Sequence, residues 1–365
     1  MASPVVDYGR VSVSAHILQC PQILAPSPVP FHFKATRISS LDPVAPHTCT
    51  LLLTCPIGGS AELWAPFLRR VFEAQRDTPG QVGAAWVVES PNHGDAAVLN
   101  EALLKEHHQH HFPIAQYGAA IRALLDAPHV SPAERSSLVA LTHSAGAVAI
   151  FFAGTVPELR TRFRAFVMVE GPDIPQESHA QLAHHVAAFT LYNAGRPAHW
   201  PSRTEGVHFL RTHRPWKAFH PEALAIACVS PPARPLAARS RPPARPQQTY
   251  FRADAAGAWV PKTPPAHESA TWADFPATGE LVRRLELMVA SATPVCIVVG
   301  GVRTFWYVEL EAALSAVHER LRRKGAEVRV VEGAGHYVPQ EKPDELAQVV
   351  LDVLGRLSIA QRAKL

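Results

Sequence analysis

The sequence predicts an α/β fold built on a mostly parallel central sheet flanked by helices, and three observations carry that expectation. Short continuous apolar runs alternate with segments of helical periodicity. Of 365 residues, 47% are hydrophobic and only 18% charged, enough to bury one large core. The alternation stops between about Gly171 and Thr293 and then resumes, as expected when one sheet carries an insertion.

Arg10–Leu18 and Pro30–Ile38 alternate apolar with polar residues and read as two half-buried opening strands. Cys49–Cys55 (CTLLLTC) is apolar throughout, the pattern of a strand covered on both faces. Glu62–Gln75 has helical spacing, Gly83–Val88 is a second buried strand, and Ile114–Leu125 a second helix. Leu138–Leu141, Ala145–Ala153 and Ala165–Val169 continue as strand, helix and strand. Beyond the break come the strand Val295–Val299, the helix Tyr307–Lys324, the strand Val328–Val331 and a last helix at Asp344–Leu357. Residues 1–170 and 294–365 are therefore expected to form the core, and 171–293 a cap or lid. Within the cap, residues 229–248 (VSPPARPLAARSRPPARPQQ) hold six prolines, four arginines and no acid, a composition that favours irregular chain.

Thirty-five basic residues against 31 acidic ones give a net charge of +4 with no long run of one sign, which offers nucleic acid no obvious footing. No apolar run approaches the ~20 residues of a membrane span, and Met1–Gln19 lacks a secretory pattern, so a soluble chain is expected. The five cysteines are scattered and odd in number, which suits buried free thiols in a reducing compartment. His107, His108, His110 and His111 crowd together without the spacing of a metal site and read as a solvated loop; neither metal nor cofactor is expected.

The chemistry centres on Leu141–Gly146 (LTHSAG), where a strand runs directly into a helix with Ser144 at the turn. Such an elbow raises a serine hydroxyl above the sheet and needs small neighbours; Gly146 satisfies the second small position of G-x-S-x-G, while Thr142 replaces the first glycine. Val331–Pro343 (VEGAGHYVPQEKP) follows the last strand and supplies His336, in the place where this chain order delivers a general base. Backbone N–H groups that could stabilise an oxyanion are Ala145, after the serine, and Gly59, in the loop Pro56–Ser60 (PIGGS). The acid is harder to assign. After Val295–Val299 the chain reads GGVRTFW, with Arg303 where an aspartate is expected, whereas Val169–Ile174 (VEGPDI) offers Glu170 and, as the alternative, Asp173.

With these pieces in order, the sequence resembles the fungal peroxisomal α/β-hydrolases, which include a peroxisomal lipase and hydrolases linked to toxin biosynthesis. The likeness rests on LLLTCPIGGSAELWAPFL at Leu51–Leu68, ESPNHGDAAVLNE at Glu89–Glu101, LTHSAG, WPSRTEGVHFLRTH at Trp200–His213, AHESATW at Ala266–Trp272 and GHYVPQEKP. Cys55 stands where such proteins usually begin the loop with histidine. The resemblance implies an α/β-hydrolase fold with an inserted cap. The last three residues, Ala363, Lys364 and Leu365, match a small-basic-leucine peroxisomal address, which implies an import receptor as partner and a peroxisomal location, the alternative being cytoplasmic.

The expected activity is hydrolysis of a carboxylic ester or thioester with an apolar acyl group, because the cap holds Phe209, Trp216, Phe219 and Leu224; those side chains could equally be the cap's own core. Serine at the nucleophile position argues against the epoxide hydrolase and dehalogenase branches of the fold. Two other readings stay open: an acyltransferase or thioesterase of a peroxisomal biosynthetic route, and a binding protein that keeps the fold without turnover.

Overall fold

A computed structural model describes residues 8–23, 29–41, 49–74, 82–228, 250–275, 279–303 and 305–362. Its strands are β1 (Val11–Cys20), β2 (Phe31–Ser40), β3 (Cys49–Thr54), β4 (Val82–Val88), β5 (Leu138–His143), β6 (Phe163–Val169), the short β7 (Phe251–Ala253) and β8 (Trp259–Pro261), β9 (Val295–Gly300) and β10 (Glu327–Val331). Eight of them form one sheet in the order β1-β2-β4-β3-β5-β6-β9-β10. The β1/β2 and β2/β4 pairs are antiparallel and the remaining pairs parallel.

The continuous apolar runs have a direct cause. Side chains alternate across a strand, and in β3 Leu52 faces one apolar cluster while Leu51 and Leu53 face another; in β5 Ala140 and Val139 divide in the same way. The first cluster joins Trp86, Phe151 and Phe166 to the helices Ile114–Asp126, Ala145–Phe152 and Val308–Arg323. The second holds Trp64, Phe67 and Leu68 against Leu346, Val350 and Leu354 of the helix Pro343–Arg362. Truncating a wholly buried aromatic such as Phe166 to alanine in such a layer costs about 3–5 kcal/mol.

Several local details differ from the sequence expectation. The helix expected over Glu62–Gln75 begins as a tight turn, Ala61–Trp64, and continues as Ala65–Glu73, with Pro66 in the first turn, where its missing N–H is harmless. His108 does not lie in solvent: it is 5% exposed, its ring sits against Phe31 and Phe112, and only its neighbours His107, His110 and His111 are exposed. Residues 171–293 hold more order than their pattern suggested, with helices at His179–Ala194, Arg203–Thr212, Pro221–Cys228, Pro265–Trp272 and Gly279–Ala290 besides the β7–β8 hairpin. Trp200, Leu210, Trp216, Phe219 and Phe251 cluster there, with Leu63 joining from the core side. Helix Gly279–Ala290, although inside that segment, buries Leu281, Leu285 and Met288 in the first core cluster. The cysteines are all buried and unbridged, and no described helix is long and apolar enough to cross a membrane. The Pro/Arg-rich stretch 229–248 and the tripeptide Ala363–Leu365 lie outside the described residues.

Candidate active site

Four adjacent parallel strands, β5, β6, β9 and β10, end at one edge of the sheet, and the candidate residues sit on those ends. Ser144 follows β5 with φ 52° and ψ −122°, a conformation costly for any residue with a side chain. Its N–H donates to the Val169 carbonyl at 3.0 Å, and Ala145 starts the helix immediately. A Cβ at position 146 would lie 2.2 Å from Thr54 Oγ1, so the elbow requires glycine there, whereas position 142 holds a wholly buried threonine. The strained turn forms despite Thr142.

His336 comes from the loop after β10. Its Nε2 lies 3.0 Å from Ser144 Oγ and its Nδ1 2.9 Å from Glu170 Oε2. A proton on Nδ1, donated to the carboxylate, leaves the Nε2 lone pair facing the serine hydroxyl, the tautomer a general base needs. Glu170, at φ 51°, directly follows β6; its Oε1 accepts the Gly300 N–H at 2.7 Å. Three contacts therefore run in series from the end of β9 through the carboxylate and the imidazole to the hydroxyl. Phe305 lies flat on the His336 ring, with centroids 3.8 Å and planes 4° apart, fixing its orientation.

Asp173 is elsewhere: wholly buried, it accepts from His318 Nε2 at 3.1 Å. Arg303 is exposed and bonds Ser315 Oγ at 3.2 Å. Ala145, first in its helix, has an N–H with no partner among the described residues. Gly59 corrects the expectation made for it, because its N–H donates to the Pro56 carbonyl at 3.1 Å and closes the loop's own turn. In that loop the N–H groups of Ile57, Gly58 and Ser60 have no partner among the described residues, and Gly58, at φ 74°, allows the turn. A glycine pair marked the loop in the sequence; which of its N–H groups the turn would consume was not legible there.

Sequence reasoning also missed the buried polar groups that brace the site. His143 Nε2 donates to the His336 carbonyl at 2.9 Å, and burial, with His336 nearby, pushes its pKa down to about 3, so it stays neutral. Beneath the glycine loop Lys34 Nζ meets Glu62 at 2.6 Å, Asp95 at 3.0 Å and Glu89 at 3.2 Å, and Lys262 also pairs with Asp95. Glu89 accepts the Ala61 N–H at 2.8 Å. Burial above all, then Glu62 and Asp95, pushes its carboxyl up to about 7 against the pull of Lys34. His185 stands among Phe189, Phe305 and Trp306, held neutral by burial at about 4.

A cleft of about 260 Å³ opens onto His336, lined by Phe189, Tyr192, Pro215, Ala218, Phe305 and Tyr337, with Arg214 and Glu341 at its polar points. A smaller chamber shares Phe189, Tyr192, Pro215 and Tyr337 with it and reaches Pro56, Gly58 and Gly59. The two are neighbouring compartments of one cleft. Among the described residues no group of three or more histidine, cysteine or carboxylate side chains could hold a metal ion.

No family model matches the sequence, and no curated protein matches it. Solved structures do. A peroxisomal α/β-hydrolase of Saccharomyces cerevisiae superposes with a TM-score of 0.70 at 14% identity, over 95% of this chain and 90% of that one. The thioesterase domain from the curacin biosynthetic pathway gives 0.57 at 15% identity, over 93% and 99%. E-2-(acetamidomethylene)succinate hydrolase gives 0.56 at 16%, over 92% and 98%. At such identities the likeness speaks for architecture alone, and together with the strand order and the elbow it gives this chain the α/β-hydrolase fold.

Proposed function

We propose that this chain is a serine hydrolase of carboxylic esters or thioesters. The observation that carries the reading is the unbroken contact series Ser144 Oγ to His336 Nε2 at 3.0 Å and His336 Nδ1 to Glu170 Oε2 at 2.9 Å, set on a strained elbow. In this reading Ser144 Oγ attacks the carbonyl carbon while His336 Nε2 takes its proton. Glu170 holds the imidazole in the right tautomer and steadies the imidazolium. The Ala145 N–H, with Ile57 as its partner in place of Gly59, meets the oxygen that gains charge. Collapse of the tetrahedral intermediate expels the alkoxide or thiolate, which receives the proton from His336 Nε2. Water then attacks the acyl carbon as Nε2 takes its proton, and the second tetrahedral intermediate breaks its bond to Ser144 Oγ, which receives that proton from Nε2 as the acid leaves.

The aromatic lining of the cleft favours an apolar acyl chain, since burying such a chain is its main source of affinity. Residues 171–293 are read as an insertion that roofs the cleft, with Phe189, Tyr192 and Pro215 contributed from it; its last helix is shared with the core layer. Ala363, Lys364 and Leu365 support import into peroxisomes by the receptor for such tripeptides, a location also carried by the name of the yeast structural neighbour. Incubation with a fluorophosphonate probe and with p-nitrophenyl hexanoate tests the catalytic reading. Labelling at Ser144 and ester cleavage are expected, both lost in Ser144→Ala. A folded chain that neither labels nor cleaves has no turnover, and the reading fails.

A further inference from the structure

The smaller chamber beside the glycine loop carries polar groups for which an apolar acyl chain has no use. It holds about 30 Å³, room for one or two water-sized groups. Gln340, four residues after His336, lines it at 1% exposure, and neither its Oε1 nor its Nε2 has a partner among the described residues. Exchanging the two atoms changes nothing, because both are bare. Unmet donors and acceptors buried together are costly, and a built site is one ordinary reason a protein keeps them.

The chamber's charges narrow the ligand. Glu268 lines it too, but its carboxylate is tied to Arg196 at 2.6 Å, and Arg196 is held further by Asn193 and the Tyr250 hydroxyl. A carboxylate entering there would meet Glu268, and an ammonium would meet Arg196 with its charge already engaged. What remains is a small neutral group that donates and accepts at once. A hydroxyl does both: its proton reaches Gln340 Oε1 while its oxygen receives the Nε2 hydrogen.

Resting on the serine hydrolase reading above, we propose that this chamber is a subsite for a neutral hydroxyl of the substrate, so that the preferred ester carries a hydroxylated acyl chain and not a plain hydrocarbon one. The test compares p-nitrophenyl hexanoate with its 3-hydroxy and 6-hydroxy analogues on the full chain and on Gln340→Met. At least one hydroxylated ester is expected to exceed hexanoate in kcat/KM by roughly tenfold, and that ratio to collapse towards one in the variant. If Gln340→Met does not fold, Gln340→Asn, which withdraws the amide by one methylene, is expected to lose the ratio too. Equal rates for all three esters on the parent chain, or a ratio that survives either folded variant, overturns the subsite and leaves the amide to a structural water. A chain that cleaves hexanoate without favouring a hydroxyl loses this inference alone; one that neither cleaves it nor labels with fluorophosphonate loses the hydrolase reading and this one with it.

Discussion

β6 and β9 run side by side, paired in parallel from Phe166–Val295 to Val169–Val298, yet they end on opposite kinds of residue. β6 runs directly into Glu170, whose carboxylate spans from the Gly300 N–H to His336 Nδ1. β9 ends on Gly300, where a Cβ would lie 2.4 Å from the Gly335 carbonyl oxygen. The histidine loop crosses the end of β9 so closely that no side chain fits, while the neighbouring end has room for a carboxylate. Adjacent parallel strands deliver their last residues to nearly the same point. An acid missing from one can therefore be supplied by the other, and the donor strand is decided by where the histidine loop lies.

The strongest way to break this comparison is Glu170→Gln. The amide keeps the shape but offers one acceptor where Gly300 N–H and His336 Nδ1 require two. The imidazole then loses its preferred tautomer, and kcat/KM for p-nitrophenyl hexanoate should fall about 10⁴-fold with the thermal midpoint little moved. A loss under tenfold would hand the acid's role to another residue. Next in size is the other strand end. Gly300→Ala should cost about 3 kcal/mol of stability, read from urea unfolding, since the new methyl presses on backbone that cannot yield as a flexible side chain would. A folded variant of parental stability would mean that the loop crosses β9 more loosely than described.

Much of this was legible in the sequence, and the part that was not has physical reasons. Buried parallel strands announce themselves as apolar runs, so β3, β4, β5, β6 and β9 could be read directly. Ser144 and His336 were legible because each follows a strand in the order that the elbow and the histidine loop impose. Glu170 was legible only as one of two acids, since VEGPDI does not reveal which carboxylate turns to the histidine and which to His318. Gly59 misled because a glycine pair signals a turn without saying which N–H the turn uses. Helix Gly279–Ala290 could have been found, since Leu281, Leu285 and Met288 recur at helical spacing. The network of Lys34, Glu62, Glu89 and Asp95 could not, because its members are far apart along the chain and each alone looks like an ordinary surface charge.

That network sharpens the contrast between the two ends of the site, since the glycine loop rests on titratable groups, whereas past their backbone ladder β6 and β9 are bridged by the Glu170 carboxylate and the Gly300 N–H. Glu89 is raised from the ordinary 4.5 to about 7 by burial beside Glu62 and Asp95. A carboxyl whose folded pKa is raised contributes stability that is complete below about pH 4.5 and is lost as pH rises through about 7. Glu89→Gln should therefore unfold at higher urea than the parent at pH 8, by on the order of 2 kcal/mol, with the gap closing towards pH 5. A gap of the same size at both values would mean that Glu89 is ionised throughout.

The smallest effect is expected at the acid that the strand ends leave out. Asp173 stands three residues beyond Glu170, wholly buried, and accepts from His318 Nε2 at 3.1 Å. The His336 Nδ1 that an acid must hold is already taken at 2.9 Å by Glu170. Asp173→Asn keeps an acceptor for His318 and removes only the charge, so kcat/KM should change by no more than about threefold, under 1 kcal/mol. The buried hydrogen bond with His318 is weakened, so any cost should appear in the urea midpoint instead. Measured beside Glu170→Gln, the two variants separate charge at the end of β6 from charge just past it. A drop in activity as large as that of Glu170→Gln, at unchanged stability, would mean that both carboxylates act on the imidazole and that the neighbouring strand end supplies only part of the acid.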